Sequence, residues 1–80
     1  MKSIHILYFA ILREQRGASE EKFETGAESA RALYAELSAR HGFSLPAERL
    51  RVVVNDAFVS WDTALADGDS VVFVPPVAGG

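Results

Sequence analysis

A chain of 80 residues, 49% of them apolar, can build one small hydrophobic core and is too short for a barrel or a doubly wound sheet. The absence of cysteine excludes disulfides, thiolate metal sites and cysteine nucleophiles. The net charge of −3, with basic residues scattered among acids, argues against nucleic-acid binding. No apolar run suits a signal peptide or membrane span, so we expect a cytoplasmic protein with no membrane contact.

The first two predicted elements are strands of different character. Residues 3–9 are rich in β-branched and aromatic side chains, which predicts a strand. Residues 10–14 then predict a short helical turn, and Gly17 interrupts the chain. Residues 19–24 form a polar strand, which we expect at a sheet edge because so little of it is apolar.

One main helix is predicted over residues 29–41. Ser29 is a suitable N-cap, and Gly42 is placed to end the helix in a left-handed conformation. Apolar residues at the helical spacing i, i+3, i+4, i+7 mark its buried face: Ala30, Leu33, Tyr34 and Leu37. Glu36 and Arg40 have the spacing and order of a favourable ion pair.

Three short strands are predicted in the second half of the chain. Residues 50–54 and 57–59 flank Asn55-Asp56, a two-residue link that suggests a β-hairpin. Residues 71–74 are strongly apolar, and Pro75-Pro76 end this strand because proline cannot extend the hydrogen-bonded ladder.

The order strand, strand, helix, strand, strand, strand predicts an α+β fold of the β-grasp, or ubiquitin-like, type. In this fold the one main helix packs on one face of a small mixed sheet. We expect residues 4–8 and 71–74, the most apolar strands, to lie side by side at the centre of the sheet. The domain then spans residues 1–74, and residues 75–80 form a flexible, extended C-terminal tail.

The first and last strands are apolar on both faces, whereas a single helix buries only one face. A loop or a partner must cover the other face, and an exposed apolar patch there would mark an interaction site. The candidate patch residues are Leu7, Phe9, Phe58, Val72 and Val74. The alternative is that central strands are simply hydrophobic.

The tail carries the most informative chemistry of the sequence. Two prolines hold it extended, and its side chains then shrink to glycine, so it suits a narrow channel: Pro75, Pro76, Val77, Ala78, Gly79 and Gly80. The Gly80 carboxylate is unreactive until it is adenylated by ATP. A sulfur nucleophile would then give a thiocarboxylate, and an amine would give an amide or isopeptide. The alternative is a frayed, inert end.

No other group of residues suggests chemistry. His5 and His41 lack metal-ligand spacing, and neither a nucleophile–base set nor a phosphate loop occurs. The acidic pairs Glu20-Glu21 and Asp67/Asp69 are expected to be solvated or to form turns. We therefore expect no bound cofactor, no metal and no activity of the isolated chain.

The sequence resembles the small subunits of molybdopterin synthase, most specifically in their Phe-x-Pro-Pro-Val-x-Gly-Gly ending, which residues 73–80 match. The segments that resemble the family's first strand, helix, hairpin and penultimate turn extend the resemblance over nearly the whole chain: residues 7–14, 29–37, 54–59 and 65–71. Val74 stands where the family often has an aromatic residue, a difference that concerns the interface.

The resemblance implies a sulfur carrier. An E1-like enzyme that uses ATP would adenylate Gly80, and a sulfur-donating protein would supply the sulfur of the thiocarboxylate. Residues 75–79 would enter the large subunit of the synthase, where sulfur passes to precursor Z (cyclic pyranopterin monophosphate). The implied complex is a heterotetramer, in which Phe9, Phe58 and Val74 fall at positions that pack on the large subunit.

Three other functions remain open from the sequence. A thiamine-type sulfur carrier shares the fold and the Gly-Gly end but usually lacks the Pro-Pro pair. A ubiquitin-like modifier would form isopeptides with other proteins. A plain binding module would keep its function after deletion of Gly79 and Gly80, whereas a carrier would lose it.

Overall fold

Five strands and two α-helices follow one another in the computed structural model, which describes residues 1–76. The strands are β1 (Lys2–Leu7), β2 (Glu20–Thr25), β3 (Arg51–Val54), β4 (Ala57–Val59) and β5 (Ser70–Val74). The helices are α1 (Ala10–Arg16) and α2 (Ala30–His41), and a short 3-10 helix (Ala47–Arg49) precedes β3.

The strands form one mixed sheet in the order β2-β1-β5-β3-β4. β1 and β5 pair in parallel, and every other neighbouring pair is antiparallel. The predicted pairing of the first and last strands in the interior of the sheet is therefore confirmed, as is the edge position of the polar strand β2. β1 ends two residues earlier than predicted, since the backbone turns at Ala10, whose φ is 51°, and enters α1.

The core lies between α2 and one face of the sheet. All four residues predicted for the buried face of α2 are buried, and the sheet residues of the same core are Ile4, Ile6, Phe23, Val52, Val54, Val71 and Phe73. Tyr34 packs on Phe73 with ring centroids 5.0 Å apart, and Trp61 stacks on Phe73 at 5.8 Å. Leu12 of α1 is also fully buried. Burial of each such side chain contributes about 1.5–3 kcal/mol.

The ends of α2 are formed as predicted. The Ser29 hydroxyl accepts a hydrogen bond from the Ala32 N–H at 3.1 Å. Gly42 adopts φ 71° and ψ 39°, and its N–H donates to the Ser38 carbonyl at 2.8 Å. A left-handed residue costs glycine little because it has no Cβ, so the helix ends where the sequence indicated.

The predicted ion pair between Glu36 and Arg40 is wrong. Glu36 instead accepts a hydrogen bond from the buried Thr25 hydroxyl, and the Arg40 guanidinium lies 5.1 Å above the Phe23 ring. Both partners belong to β2. Contacts with this strand therefore replace the ion pair within the helix. The spacing of residues along a helix cannot predict such contacts.

The hairpin and the turn before β5 are joined by polar contacts. Asn55 and Asp56 have φ of 50° and 72°, the positive values of a type I′ turn. The Asn55 amide donates to Asp69 at 2.9 Å and accepts from the Ser70 N–H at 3.0 Å. Asp69 also accepts from the Ala66 N–H at 2.8 Å, which confirms its predicted turn-forming role.

Asp67 lies in the same turn and accepts from the Ser3 N–H of β1 at 2.7 Å. The expectation of a solvated Glu21 is wrong, since its side chain is only 12% exposed and lies 2.9 Å from Nε of Arg16.

We predict that Asp56→Gly raises the free energy of unfolding by about 0.5–1 kcal/mol, because glycine adopts a positive φ without steric cost. Urea denaturation followed by circular dichroism measures the change. The matched control is Ala57→Gly in the adjacent strand β4, which we expect to lower stability by a similar amount. A loss of stability in the Asp56 variant would contradict the turn geometry.

Two buried phenols make stability depend on alkaline pH. Burial raises the pKa of Tyr8 above its ordinary value, and the nearby Glu21 carboxylate adds to this effect. Burial also raises the pKa of Tyr34, whose hydroxyl donates to the Leu45 carbonyl at 2.6 Å. Each phenol therefore keeps its proton in the folded chain at a pH where the unfolded chain has lost it.

We predict that the free energy of unfolding is insensitive to these phenols below pH ~10, the usual pKa of tyrosine, and falls as pH rises above it. Urea denaturation across alkaline pH measures the decline. Tyr8→Phe retains the ring and removes the ionising group, so its decline should be smaller. Equal declines for both proteins would show that Tyr8 does not contribute.

Candidate functional site

The tail leaves the sheet beside the first residue of β3. β5 and β3 are antiparallel, and Val74 lies opposite Arg51 in the register. Pro75 is half-buried and Pro76 is exposed, at the edge of a groove of about 450 Å³. We call Pro75 and Pro76 the tail root. The predicted tail residues Val77, Ala78, Gly79 and Gly80 lie outside the described residues.

One row of apolar side chains crosses the face of the sheet opposite α2. In the strand register Leu7 pairs with Val72, Val72 with Val53, and Val53 with Phe58. Paired residues point to the same face, so these four side chains lie side by side across β1, β5, β3 and β4. We call them the open-face row. Phe58 is 67% exposed and the other three are partly exposed.

Phe9 and Val74 extend the apolar surface toward the tail root. Tyr8 is buried and Phe9 is 49% exposed, which continues the alternation of β1. β1 and β5 run in parallel, and Leu7 pairs with Val72. Phe9 and Val74 each lie two residues further along the chain, so they extend the apolar surface in the same direction. The patch residues predicted from sequence are thus all at least partly exposed. Their role as an interface stays a prediction.

Val53 is the member of the open-face row that the sequence prediction omitted. Its neighbours Val52 and Val54 are buried, and Val53 is only partly buried. The signal was present, because a hairpin turn at Asn55-Asp56 pairs Val53 with Phe58, a residue already assigned to the exposed face. Counting back from the turn would therefore have added Val53.

The other end of the same sheet face is polar. His5 pairs with Lys22 on one side and with Ser70 on the other. Its Nε2 lies 3.6 Å from a carboxylate oxygen of Glu20, and both side chains are exposed. The apolar surface is therefore confined to the half of the face nearest the tail root.

The described residues contain no grouping of metal-ligating side chains. Within residues 1–76, no three His, Asp or Glu side chains are grouped as a metal site requires. No helix of this part of the chain is long and apolar enough to cross a membrane. The most distinctive surface in the described structure is the open-face row together with the tail root.

Comparison with known protein families shows which family the chain belongs to. Residues 6–80 match the sequence profile of the ThiS family. The chain belongs to the ThiS family. The match extends to Gly80.

Individual relatives narrow the comparison within the ThiS family. The chain is 36% identical over 80 residues to the molybdopterin synthase sulfur carrier subunit of Escherichia coli (strain K12), covering 96% of this chain and 99% of that protein. A solved structure described as molybdopterin converting factor, subunit 1, from Pyrococcus furiosus is 31% identical, with a TM-score of 0.79, covering 96% of this chain and 100% of that one. These matches confirm the resemblance to molybdopterin synthase small subunits and the β-grasp fold.

A third similar structure comes from an assembly. A chain in the protein–protein complex of subunits 1 and 2 of molybdopterin-converting factor from Helicobacter pylori 26695 has a TM-score of 0.67 at 23% identity. The similarity covers 98% of this chain and 99% of that one. At this identity the match shows a shared fold.

We predict that Phe58→Ala lowers the free energy of unfolding by less than about 1 kcal/mol, because the side chain is mostly exposed. The matched control is Phe73→Ala, the same change at a fully buried position of β5, which should cost about 3–5 kcal/mol. Urea denaturation compares the two, and loss of a cooperative transition counts as the larger cost. A cost above about 3 kcal/mol for Phe58→Ala would place Phe58 in the folding core.

Proposed function

We propose that this chain is the sulfur carrier subunit of a molybdopterin synthase and that Gly80 carries the sulfur. The observation that supports this most strongly is the similarity to a sulfur carrier subunit over 96% of the chain. Two features agree with it: the Pro-Pro-Val-Ala-Gly-Gly ending follows directly on β5, and a partly exposed apolar row lies beside the tail root.

The chemistry takes place at the Gly80 carboxylate. A carboxylate oxygen attacks the α-phosphorus of ATP and pyrophosphate leaves, which gives an acyl-adenylate. A sulfur nucleophile then attacks the acyl carbon, and AMP departs. With hydrosulfide as the nucleophile the product is the thiocarboxylate directly. With a donor persulfide the first product is an acyl disulfide, and attack of a thiol on the donor-side sulfur releases the thiocarboxylate while a disulfide forms on the donor. Transfer of this sulfur to precursor Z, with uptake of water, returns the carboxylate for another cycle.

These steps need no side chain from the β-grasp domain. The E1-like adenylating partner binds ATP, a second protein donates the sulfur, and the chain itself binds no cofactor. The domain positions the tail and provides surfaces that partners recognise. Because adenylation consumes ATP, the proposal includes a cytoplasmic location.

The large subunit of the synthase is the proposed partner for the open-face row, Phe9 and Val74. Burial of such apolar side chains contributes about 25 cal/mol per Å², so this surface favours a stable contact. Phe9 and Val74 lie on the same side as the tail root, so docking of this face would direct residues 75–79 into the large subunit. The proposed assembly is a heterotetramer of two carriers on a large-subunit dimer.

The Pro75-Pro76 pair favours this pathway over a thiamine-type carrier, whose tail usually lacks it. A protein modifier would use the same adenylate and replace the sulfur nucleophile by a lysine amine. These two functions are distinct outcomes of the experiment below.

The experiment is intact-mass measurement after incubation with ATP, an E1-like adenylating enzyme and a sulfur source. We predict the gain that corresponds to exchange of one oxygen for sulfur, localised to Gly80 by fragmentation. The modified chain, mixed with a large subunit and precursor Z, should then form molybdopterin. The control lacks Gly79 and Gly80. It should fold and bind the large subunit normally, and it should accept no sulfur.

An unchanged mass would refute the proposal, provided that the same adenylating enzyme is active on a known carrier. Sulfur gain without molybdopterin formation would favour the thiamine-type carrier. Conjugates with lysines of other proteins would favour the modifier.

A further inference from the structure

The groove beside the tail root is positively charged, although the chain has a net charge of −3. Three ionisable side chains line it, Glu48, Arg49 and Arg51, and all three residues are exposed. One carboxylate against two guanidinium groups leaves one positive charge. The remaining lining is mostly apolar and includes the tail root itself. The groove therefore suits a small group that carries a single negative charge.

The two arginines of the groove have no charged partner among residues 1–76. Neither Arg49 nor Arg51 takes part in an ion pair there, so even the neighbouring Glu48 pairs with neither of them. Other arginines of the same part of the chain differ. Arg16 lies 2.9 Å from Glu21, and Arg31 lies 3.5 Å from Asp62.

The tail carries a single carboxylate within reach of this groove. Four residues, 77–80, follow Pro76, and four residues span at most about 14 Å when fully extended. The sequence also permits a return. Gly79 is third in Val77-Ala78-Gly79-Gly80, the position where a type II turn requires a positive φ. Such a turn brings the first and fourth Cα atoms within about 7 Å of each other.

We propose that Arg49 and Arg51 bind the Gly80 carboxylate of the same chain, so that residues 77–80 fold back over the groove in the free carrier. A guanidinium group binds a carboxylate through two parallel hydrogen bonds. The tether decides the occupant, because a group on a short linker has an effective concentration in the millimolar range, about a thousand times that of a protein at micromolar concentration. The contact itself needs no sulfur chemistry, and its role in a carrier rests on the proposed function.

The groove also includes part of the surface proposed to bind a partner. Phe58 and Val74 line it together with the two arginines. A partner that covers Phe58 and Val74 therefore displaces the folded-back tail, since both cannot occupy one groove. The free carrier holds its reactive end against its own surface, and docking of a partner releases it.

The test is a pH titration of the Gly80 carboxyl carbon by NMR, on the isolated protein at low salt. The midpoint for the wild-type chain should lie about 0.2–0.7 pH units below that of Arg49→Gln with Arg51→Gln, because nearby cations favour the ionised carboxylate. Glu48→Gln should lower the midpoint further, because it removes the one negative charge of the groove. High salt should reduce both differences.

Nuclear relaxation of the same samples reports the position of the tail. The heteronuclear NOE of the Gly79 and Gly80 amides measures motion on the picosecond-to-nanosecond timescale. It should be higher in the wild-type chain than in the double Gln variant, because the bound carboxylate restricts both glycines.

The matched control is Lys22→Gln with Arg31→Gln, which removes the same two charges from exposed residues of β2 and α2. Its midpoint should stay within about 0.1 pH units of the wild-type value, because distant exposed charges are screened. Urea denaturation should show all variants folded. An equal shift in the control would overturn the proposal. Equal midpoints and equal NOE values in the wild-type chain and the double Gln variant would overturn it too, and weaker partner binding by that variant would then assign the arginines to the partner.

The two proposals fail differently. A chain that shows the shifted midpoint and gains no sulfur with an active enzyme refutes the proposed function and retains the contact between tail and groove. A chain that gains sulfur, with equal midpoints in the wild-type chain and the double Gln variant, refutes this contact alone.

Discussion

The structure depends on the pairing of β5 with both β1 and β3. β1 and β2 form one half of the sheet, β3 and β4 form the other, and β5 is the strand that joins them. Val71 and Phe73 point into the core, and Val72 points to the opposite face beside Leu7 and Val53. One strand thus contributes to the core, to the open-face row and to the position of the tail.

The same pairing explains why the proposed partner surfaces lie at one end of the molecule. The parallel register of β1 and β5 pairs Leu7 with Val72, so Phe9 and Val74 follow at the same end of the sheet, and the antiparallel register of β3 and β5 places Arg51 opposite Val74. Proline at position 75 then ends the ladder, so the chain separates from the sheet at this point. The register of β5 with β1 and β3 therefore brings apolar side chains, Arg51 and the tail root to the same end of the sheet.

Much of the fold could be predicted because its signals are local. The helical spacing, the Ser29 cap and Gly42 gave the limits of α2, and the β-branched strands with their turns gave the sheet. The alternation of side chains along a strand was also sufficient to predict the partial exposure of Leu7 and Val72, because a helix covers only one face of the sheet.

What the sequence did not reveal depends on contacts between distant segments. The partners of Glu36 and Arg40 lie on β2, which helix spacing cannot take into account. Val53 is different, since its pairing with Phe58 follows from the local hairpin turn and could have been predicted. Arg51 looked like one of several scattered cations until the register of β3 with β5 placed it opposite Val74.

The central position of β5 has a consequence for protein synthesis. Translation produces this strand after every other element of the domain, so a nascent chain that stops before Ser70 holds two half-sheets with nothing between them. Such a product leaves the backbone edges of β1 and β3 unpaired and their apolar side chains uncovered, which favours aggregation. A folded copy of the domain is therefore one whose translation has already passed Val74, because a chain that stops before β5 cannot complete the sheet.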